Sequence, residues 1–347
     1  MTEHLHVRQD GHAGRITLTR EAALNALTPA MVHGIEDALT RWRHDPAVAL
    51  VIIDAAGPKA FCAGGDVAAL HAAGMAGDYG DARRFWRDEY RVNAMIAGYG
   101  KPVVTLMQGF VMGGGVGLGC HASHRIVGET SRIALPECGI GLVPDVGSTL
   151  LLARAPGRLG EYLGLTGDRM DAGDAIHAGF ADSFVPQDRW AGLVDALCAH
   201  GDVGMIATTT LPAPPSKLAA WQAEIDTAFA APDLSAIGDR PDAVPPAPIA
   251  HALDLMGRNA PLSMACTLAI VRAVRDDPSI RTALGLEFRF THRAMADADF
   301  LEGVRALLID RDRTPRWRHT DWQVPAAEVA ALLAPLGPEA LHPEDHP

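Results

Sequence analysis

The chain has 347 residues, 48% of them hydrophobic and 21% charged, which is the composition of a globular protein with one large or two modest domains. Thirty Lys and Arg against 42 Asp and Glu leave a formal net charge of -12, with no basic run to meet nucleic acid or an anionic membrane. Five cysteines at wide spacings, with no Cys-x-x-Cys pair, argue against a disulfide framework or a zinc cluster. They suit reduced thiols in a cytoplasmic protein, and the polar N-terminus MTEHLHVRQDGH shows no apolar signal segment.

In chain order, Ile16 to Thr19 alternates like a strand, and Pro29 to Arg43 carries Met31, Ile35, Leu39 and Trp42 at helical spacing. The run Ala47 to Ala56 is continuously apolar, as in a strand buried on both faces. Val103 to Met107 is a second such run, with a helix expected before it, and Arg125 to Val127 a third. Strands alternating with helices predict an α/β fold with a largely parallel sheet.

Pro102 to His124 holds no Asp, Glu, Lys or Arg and is long enough to span a bilayer. Its Pro102 and the run Gly113-Gly114-Gly115 oppose a continuous helix, so a buried strand, a turn and a buried helix to about Ser123 are expected. Residues 157–200 are helical in pattern. The stretches 211–217 and 238–249 are Pro-rich loops around a short helix, 261–309 is a helical block, and 320–347 is a short helix with a tail. The domain reading is therefore a core over 1–200, a Pro-rich insert over 201–260, a C-terminal helical region over 261–320, and a tail over 321–347.

Common signatures are missing: there is no P-loop, no Gly-x-Gly-x-x-Gly and no Gly-x-Ser-x-Gly. His342 and His346 in the Pro-containing tail suit a solvated end better than a metal site, and no metal is expected. Two Gly-rich turns follow the apolar runs, Cys62-Ala63-Gly64-Gly65-Asp66 and Met112-Gly113-Gly114-Gly115. Their backbone N–H groups could together bind one developing oxyanion, or both could be tight packing turns.

Within Asp81 to Ile96, Phe85, Glu89, Val92 and Ile96 form one helical stripe, with Arg83, Arg84, Arg87 and Arg91 opposite. Glu89 thus lies on an apolar face, where a carboxylate needs a function, an ion pair, or an edge from which to reach water. Glu137 and Asp145 sit eight residues apart in an apolar Gly/Pro-rich loop with no cation nearby. Acids in that setting are candidates for raised pKa values and for acid–base or nucleophilic work; the alternative is that either one caps a helix, Asp145 above all, ahead of Gly147 to Leu151.

These segments together resemble the crotonase (enoyl-CoA hydratase/isomerase) superfamily. GPKAFCAGGD, WRDEY, KPVVTLMQGFVMGGGVGLGCH, ALPECGIGLVPDVGSTLLL and ADFLEGVRALLIDRDRTPRW occur in order between about residues 12 and 318. Within it the pattern is most similar to that of the 3-hydroxyisobutyryl-CoA hydrolases. The resemblance implies a spiral of ββα turns with a C-terminal helical region, an acyl-CoA substrate whose CoA is no separate cofactor, and a possible homo-oligomer. By motif alignment it implies an oxyanion hole from the N–H groups of Gly65 and Gly114.

Hydratases of the superfamily use two glutamates. Here the first falls on Gly117 and the second is Glu137, while Asp145 stands where hydratases have Gly. Glu89, Gly114, Glu137 and Asp145 together match the hydrolase pattern for substrate binding, with Glu137 and Asp145 catalytic. The expected reaction is hydrolysis of a short 3-hydroxyacyl-CoA such as 3-hydroxyisobutyryl-CoA, a step of valine catabolism. The alternatives are an enoyl-CoA hydratase or isomerase, or a non-catalytic acyl-CoA-binding protein. The chain departs from the family at Glu21-Ala22-Ala23-Leu24-Asn25, where a Lys usually precedes Ala-Leu-Asn, so the nucleotide contacts stay unassigned.

Overall fold

The computed structural model describes residues 3–239 and 244–341. Two strands, β1 (Leu5–Asp10) and β2 (Ala13–Leu18), form an antiparallel hairpin. From β2 the sheet grows by parallel pairing through β3 (Leu50–Ala55), β5 (Val103–Met107), β7 (His124–Val127) and β9 (Ser183–Phe184). After β3, β5 and β7 the chain bends and adds a short strand to a second, wholly parallel sheet. These strands are β4 (Ala60–Cys62), β6 (Phe110–Met112) and β8 (Arg132–Ala134). Both sheets follow chain order, so the backbone climbs as a spiral with one strand per sheet in each turn.

The continuous apolar runs reflect burial on both faces of the larger sheet. Val51, Ile53, Val103 and Val127 pack into the main core, while Leu50, Ile52, Val104 and Ile126 point the other way, onto Leu193, Val194 and Leu197. Helix α1 (Pro29–Trp42) begins where Thr28 Oγ1 accepts from Met31 N–H and Pro29 occupies the first turn. It buries Met31, Ile35, Leu39 and Trp42, the stripe read from the sequence. Helix α2 (Val67–Met75) and helix α3 (Tyr79–Ala97) follow β4.

The uncharged stretch Pro102 to His124 becomes β5, β6 and helix α4 (Gly114–Gly119). That helix ends earlier than the expected Ser123. Glycines at 117 and 119 lower its helix propensity, and the Thr105 hydroxyl takes the Gly119 carbonyl at 2.9 Å. No helix among the described residues is long and apolar enough to cross a membrane.

Helix α5 (Ser148–Arg154) is covered by two long C-terminal helices, Pro261–Asp276 and Ile280–Asp297, the second also packing on α3. The expected helical block thus breaks at Asp277 to Ser279 and again near Ala298, before the helix Phe300–Val304 and a π-helical turn, Arg305–Ile309. Between the Pro-rich stretches lie helices Lys217–Phe229 and Leu234–Gly238, and Leu218, Ile225 and Phe229 join the main core. Helix Ala247–Met256 starts inside the second Pro-rich stretch, with Pro248 in its first turn where a missing N–H costs nothing. Residues 240–243 of that stretch, and His342 and His346, lie outside the described residues.

Candidate active site

Parallel pairing of β4, β6 and β8 brings the three chemistry-bearing loops side by side at the carboxyl ends of the strands. Cys62 leads into Gly64-Gly65, Met112 into Gly113-Gly114, and Ala134 into Pro136-Glu137. Gly64 and Gly113 have φ of +109° and +49°, which a side chain would strain. The two turns nearly touch: a Cβ built on Gly64 would stand 3.8 Å from Gly114 N. Among the described residues no group accepts from Gly65 N–H or Gly114 N–H, and both glycines line a cavity of about 210 Å³.

Glu137, Glu89 and Asp145 line the same cavity and are 4%, 3% and 5% exposed. Its remaining walls are largely apolar, with Leu70, Trp86, Met112, Leu142, Leu307 and Leu308 among them. Glu137 stands in a 3-10 turn, Glu137–Ile140, just past β8. Its Oε2 and Glu89 Oε1 are buried without a hydrogen-bond partner. Unpaired buried oxygens facing a cavity are rare in a settled core, and they mark groups reserved for something else. Among the described residues Glu89 makes no ion pair; Arg91 binds Glu36 and Asp88 instead.

Asp145 does not cap α5. Its side chain accepts from the Tyr90 hydroxyl at 2.8 Å instead. The cap is Glu287, reaching in from helix Ile280–Asp297. Gly147 N–H donates to its Oε2 at 2.7 Å and Thr149 N–H to its Oε1 at 3.0 Å. Tyr90 and Glu287 escaped the reading of the sequence. For Glu287 the signal was present, since it shares the buried stripe of Ala283, Leu284, Phe288 and Thr291, as Glu89 does on its own helix.

Burial raises the pKa values of all four acids, and the Asp145 charge adds to it for the three glutamates. Glu137 is pushed well above the carboxylate range by burial and then by Asp145; Glu89 likewise. Asp145 is raised to about 7 by burial, partly offset by the Tyr90 hydroxyl, and Glu287 to about 8 by burial, with the Thr149 bond opposing. The arrangement thus offers two free amide donors, one unpaired acid in the turn after β8, one on α3, and a tyrosine-anchored acid lining the same cavity.

Gly117 decides what the site lacks. A Cβ there would lie 2.5 Å from Asn93 Nδ2 and 2.8 Å from Val146 Cβ, so a carboxylate at 117 would have to displace both. Glu21 and Lys59 line a separate groove of about 230 Å³.

A profile described as enoyl-CoA hydratase/isomerase matches residues 13–333, and the chain belongs to that family. The fold is the crotonase fold. Among curated proteins the chain is similar to the mitochondrial 3-hydroxyisobutyryl-CoA hydrolases. It is 38% identical to that of Xenopus tropicalis, over 88% of this chain and 82% of the relative, and 35% identical to that of Homo sapiens, over 91% and 84%. Among solved structures it is similar to an enoyl-CoA hydratase from Rhodobacter sphaeroides 2.4.1, with 57% identity, TM-score 0.94, and coverage of 98% of this chain and 100% of that one. A carnitinyl-CoA dehydratase from Mycobacterium thermoresistibile gives 38% identity and TM-score 0.91, covering 98% of each chain.

Proposed function

We propose that this protein hydrolyses the thioester of a short 3-hydroxyacyl-CoA, with 3-hydroxyisobutyryl-CoA as its substrate in valine catabolism. The observation that carries this reading is the pairing of two free amide donors with the unpartnered Glu137 in one cavity, while α4, where hydratases carry their first glutamate, has Gly117 packed against Val146 and Asn93. Hydration of a C=C bond asks for two proton-transfer groups on the substrate carbons. Hydrolysis of a thioester asks for an oxyanion site and one nucleophile or base.

The thioester oxygen sits against the N–H groups of Gly65 and Gly114, each worth about 2.7–4 kcal/mol to a developing oxyanion. Glu137 attacks the carbonyl carbon, the C–S bond breaks, and CoA leaves as thiolate. Water then hydrolyses the mixed anhydride, returning the Glu137 carboxylate. In the alternative route Glu137 takes a proton from water, which attacks in its place. Oxygen-18 incorporation into Glu137 in a single turnover separates the two. Either route runs on protein groups and water, CoA being part of the substrate.

Asp145 accepts from the substrate 3-hydroxyl, and Glu89 fixes the polar cluster behind Gly114. The cavity volume supports a short acyl group, being below the roughly 300–1,000 Å³ of pockets for drug-sized ligands. Five buried free thiols support a reducing compartment, the cytoplasm in this reading. Self-association, which the family resemblance implies, is read by light scattering of the purified chain.

A second reading, enoyl-CoA hydration, is favoured by the name of the Rhodobacter sphaeroides neighbour. The deciding experiment offers purified protein a series of short 3-hydroxyacyl-CoAs and follows thiol release, with crotonyl-CoA hydration measured in parallel. Thiol release from 3-hydroxyisobutyryl-CoA is the expected result. Hydration of crotonyl-CoA without release of CoA overturns the proposal.

A further inference from the structure

The loop that carries Asp145 is held in a conformation it would not adopt by itself. Val146 has φ of +56°, a left-handed backbone that a β-branched residue resists, and Gly147 follows at +78°. Three residues from three separate elements hold this loop. The Tyr90 hydroxyl on α3 donates to Asp145 Oδ2 at 2.8 Å. His121, just past α4, places Nε2 2.9 Å from the Val146 carbonyl. Glu287 receives the N–H groups of Gly147 and Thr149. Tyr90 and Glu287 are fully buried, and Tyr90 meets Phe288 edge-on with ring centroids 6.1 Å apart, so neither can reorient without repacking the helix pair.

Strain beside a functional group persists only where its surroundings over-determine it. We infer that Tyr90 and Glu287 are positioning residues for thioester hydrolysis: Tyr90 fixes Oδ2 of Asp145, and Glu287 ties the backbone at 147 and 149 so that the strained Val146 turns Asp145 into the acyl cavity. This rests on the hydrolase reading, and it assigns the C-terminal helix Ile280–Asp297 a part in the reaction although it contributes no group to the cavity. The ionisable groups around Asp145 are Glu89 and Tyr90 from α3, Glu137 from the 3-10 turn, Glu287 from the C-terminal helix, and His121, which burial holds neutral with its pKa lowered to about 4. Of these, Tyr90 alone donates a hydrogen bond to the Asp145 carboxylate, and so it favours the charged form.

The test uses the full chain with Tyr90→Phe, Glu287→Gln, and Glu287→Gln combined with Val146→Gly. Thiol release from 3-hydroxyisobutyryl-CoA is measured against pH, and the Asp145 carboxyl is titrated by carbon-13 NMR. Tyr90→Phe is expected to lower kcat by about 10- to 100-fold with little change in KM, as a misplaced group does, and to move the Asp145 titration upward. Glu287→Gln is expected to lower kcat similarly, and adding Val146→Gly to recover part of the loss, because glycine takes the left-handed conformation without strain. Folded variants with unchanged kcat, pH profile and Asp145 titration overturn the inference, as does a further loss on adding Val146→Gly. If the unaltered protein releases no CoA from any acyl-CoA, the hydrolase reading fails, while the Asp145 titration in Tyr90→Phe still reports whether Tyr90 holds that carboxyl.

Discussion

In the proposed reaction Glu137 is the group that the rest of the cavity serves, and burial and then the Asp145 charge disfavour its anion. Replacing it with Gln keeps the shape and removes both nucleophile and base. Thiol release is expected to fall by about 10²–10⁴-fold while acyl-CoA still binds in a calorimetric titration. Unchanged turnover would leave Glu137 without a catalytic role and favour a binding protein. Because burial and the Asp145 charge both disfavour the Glu137 carboxylate, the reactive form accumulates only as pH rises. The rate is therefore expected to climb with pH above the usual carboxylate range. Asp145→Asn removes the repelling charge, so the acid limb of the profile should move to lower pH, and discrimination against acyl groups lacking the 3-hydroxyl should decline.

At the scale of elements, the spacing between α3 and α4 sets which acids the site can hold. Gly114 has Glu89 Oε1 so close that a Cβ would come within 2.3 Å of it, with Leu27 Cδ1 2.9 Å away. Gly114→Ala is expected to cost about 1–3 kcal/mol of stability through overpacking and to lower activity by displacing the amide beside Glu89. One turn further along the same pair, Asn93 fills the space a side chain at 117 would need. Gly117→Glu is accordingly expected to lower the melting temperature without conferring crotonyl-CoA hydration. A folded variant that hydrates crotonyl-CoA would show that helix spacing does not decide the reaction type.

Over the whole molecule, the buried acids shape how stability depends on pH. Asp145 and Glu287 are raised from 3.8 to about 7 and from 4.5 to about 8. The native state keeps protons that the unfolded chain has already lost, so their contribution is complete below the unfolded values and is lost as pH rises through about 7 to 8. Glu161 behaves oppositely: burial pushes its pKa up, but bonds from Arg275 and Arg158 outweigh burial and leave it lowered. Its contribution is lost as pH falls. The thermal midpoint is expected to decline from about pH 5 to about pH 8 and then level off, and to decline less in Glu287→Gln. An equal slope in the two proteins, by scanning calorimetry, would mean that Glu287 does not titrate in that window.

Much of this was open to reading along the chain because it is local. The run Leu50 to Ile53 announces a strand buried on both faces, the stripe from Phe85 to Ile96 announces a helix with an acid on its apolar side, and both Gly-rich turns and the Glu137–Asp145 loop stand out by composition. The short strands β4, β6 and β8 did not, since three residues carry no period and gain their place only by pairing. Nor did the bond from Tyr90 to Asp145 or the Glu287 cap 140 residues from Gly147, which exist because two helices distant in sequence pack on one loop. Residue type and periodicity thus determined which acids and glycines the protein has to work with. Only packing decided which of them meet, which stay unpaired, and that a side chain at 117 would have to displace Asn93 and Val146.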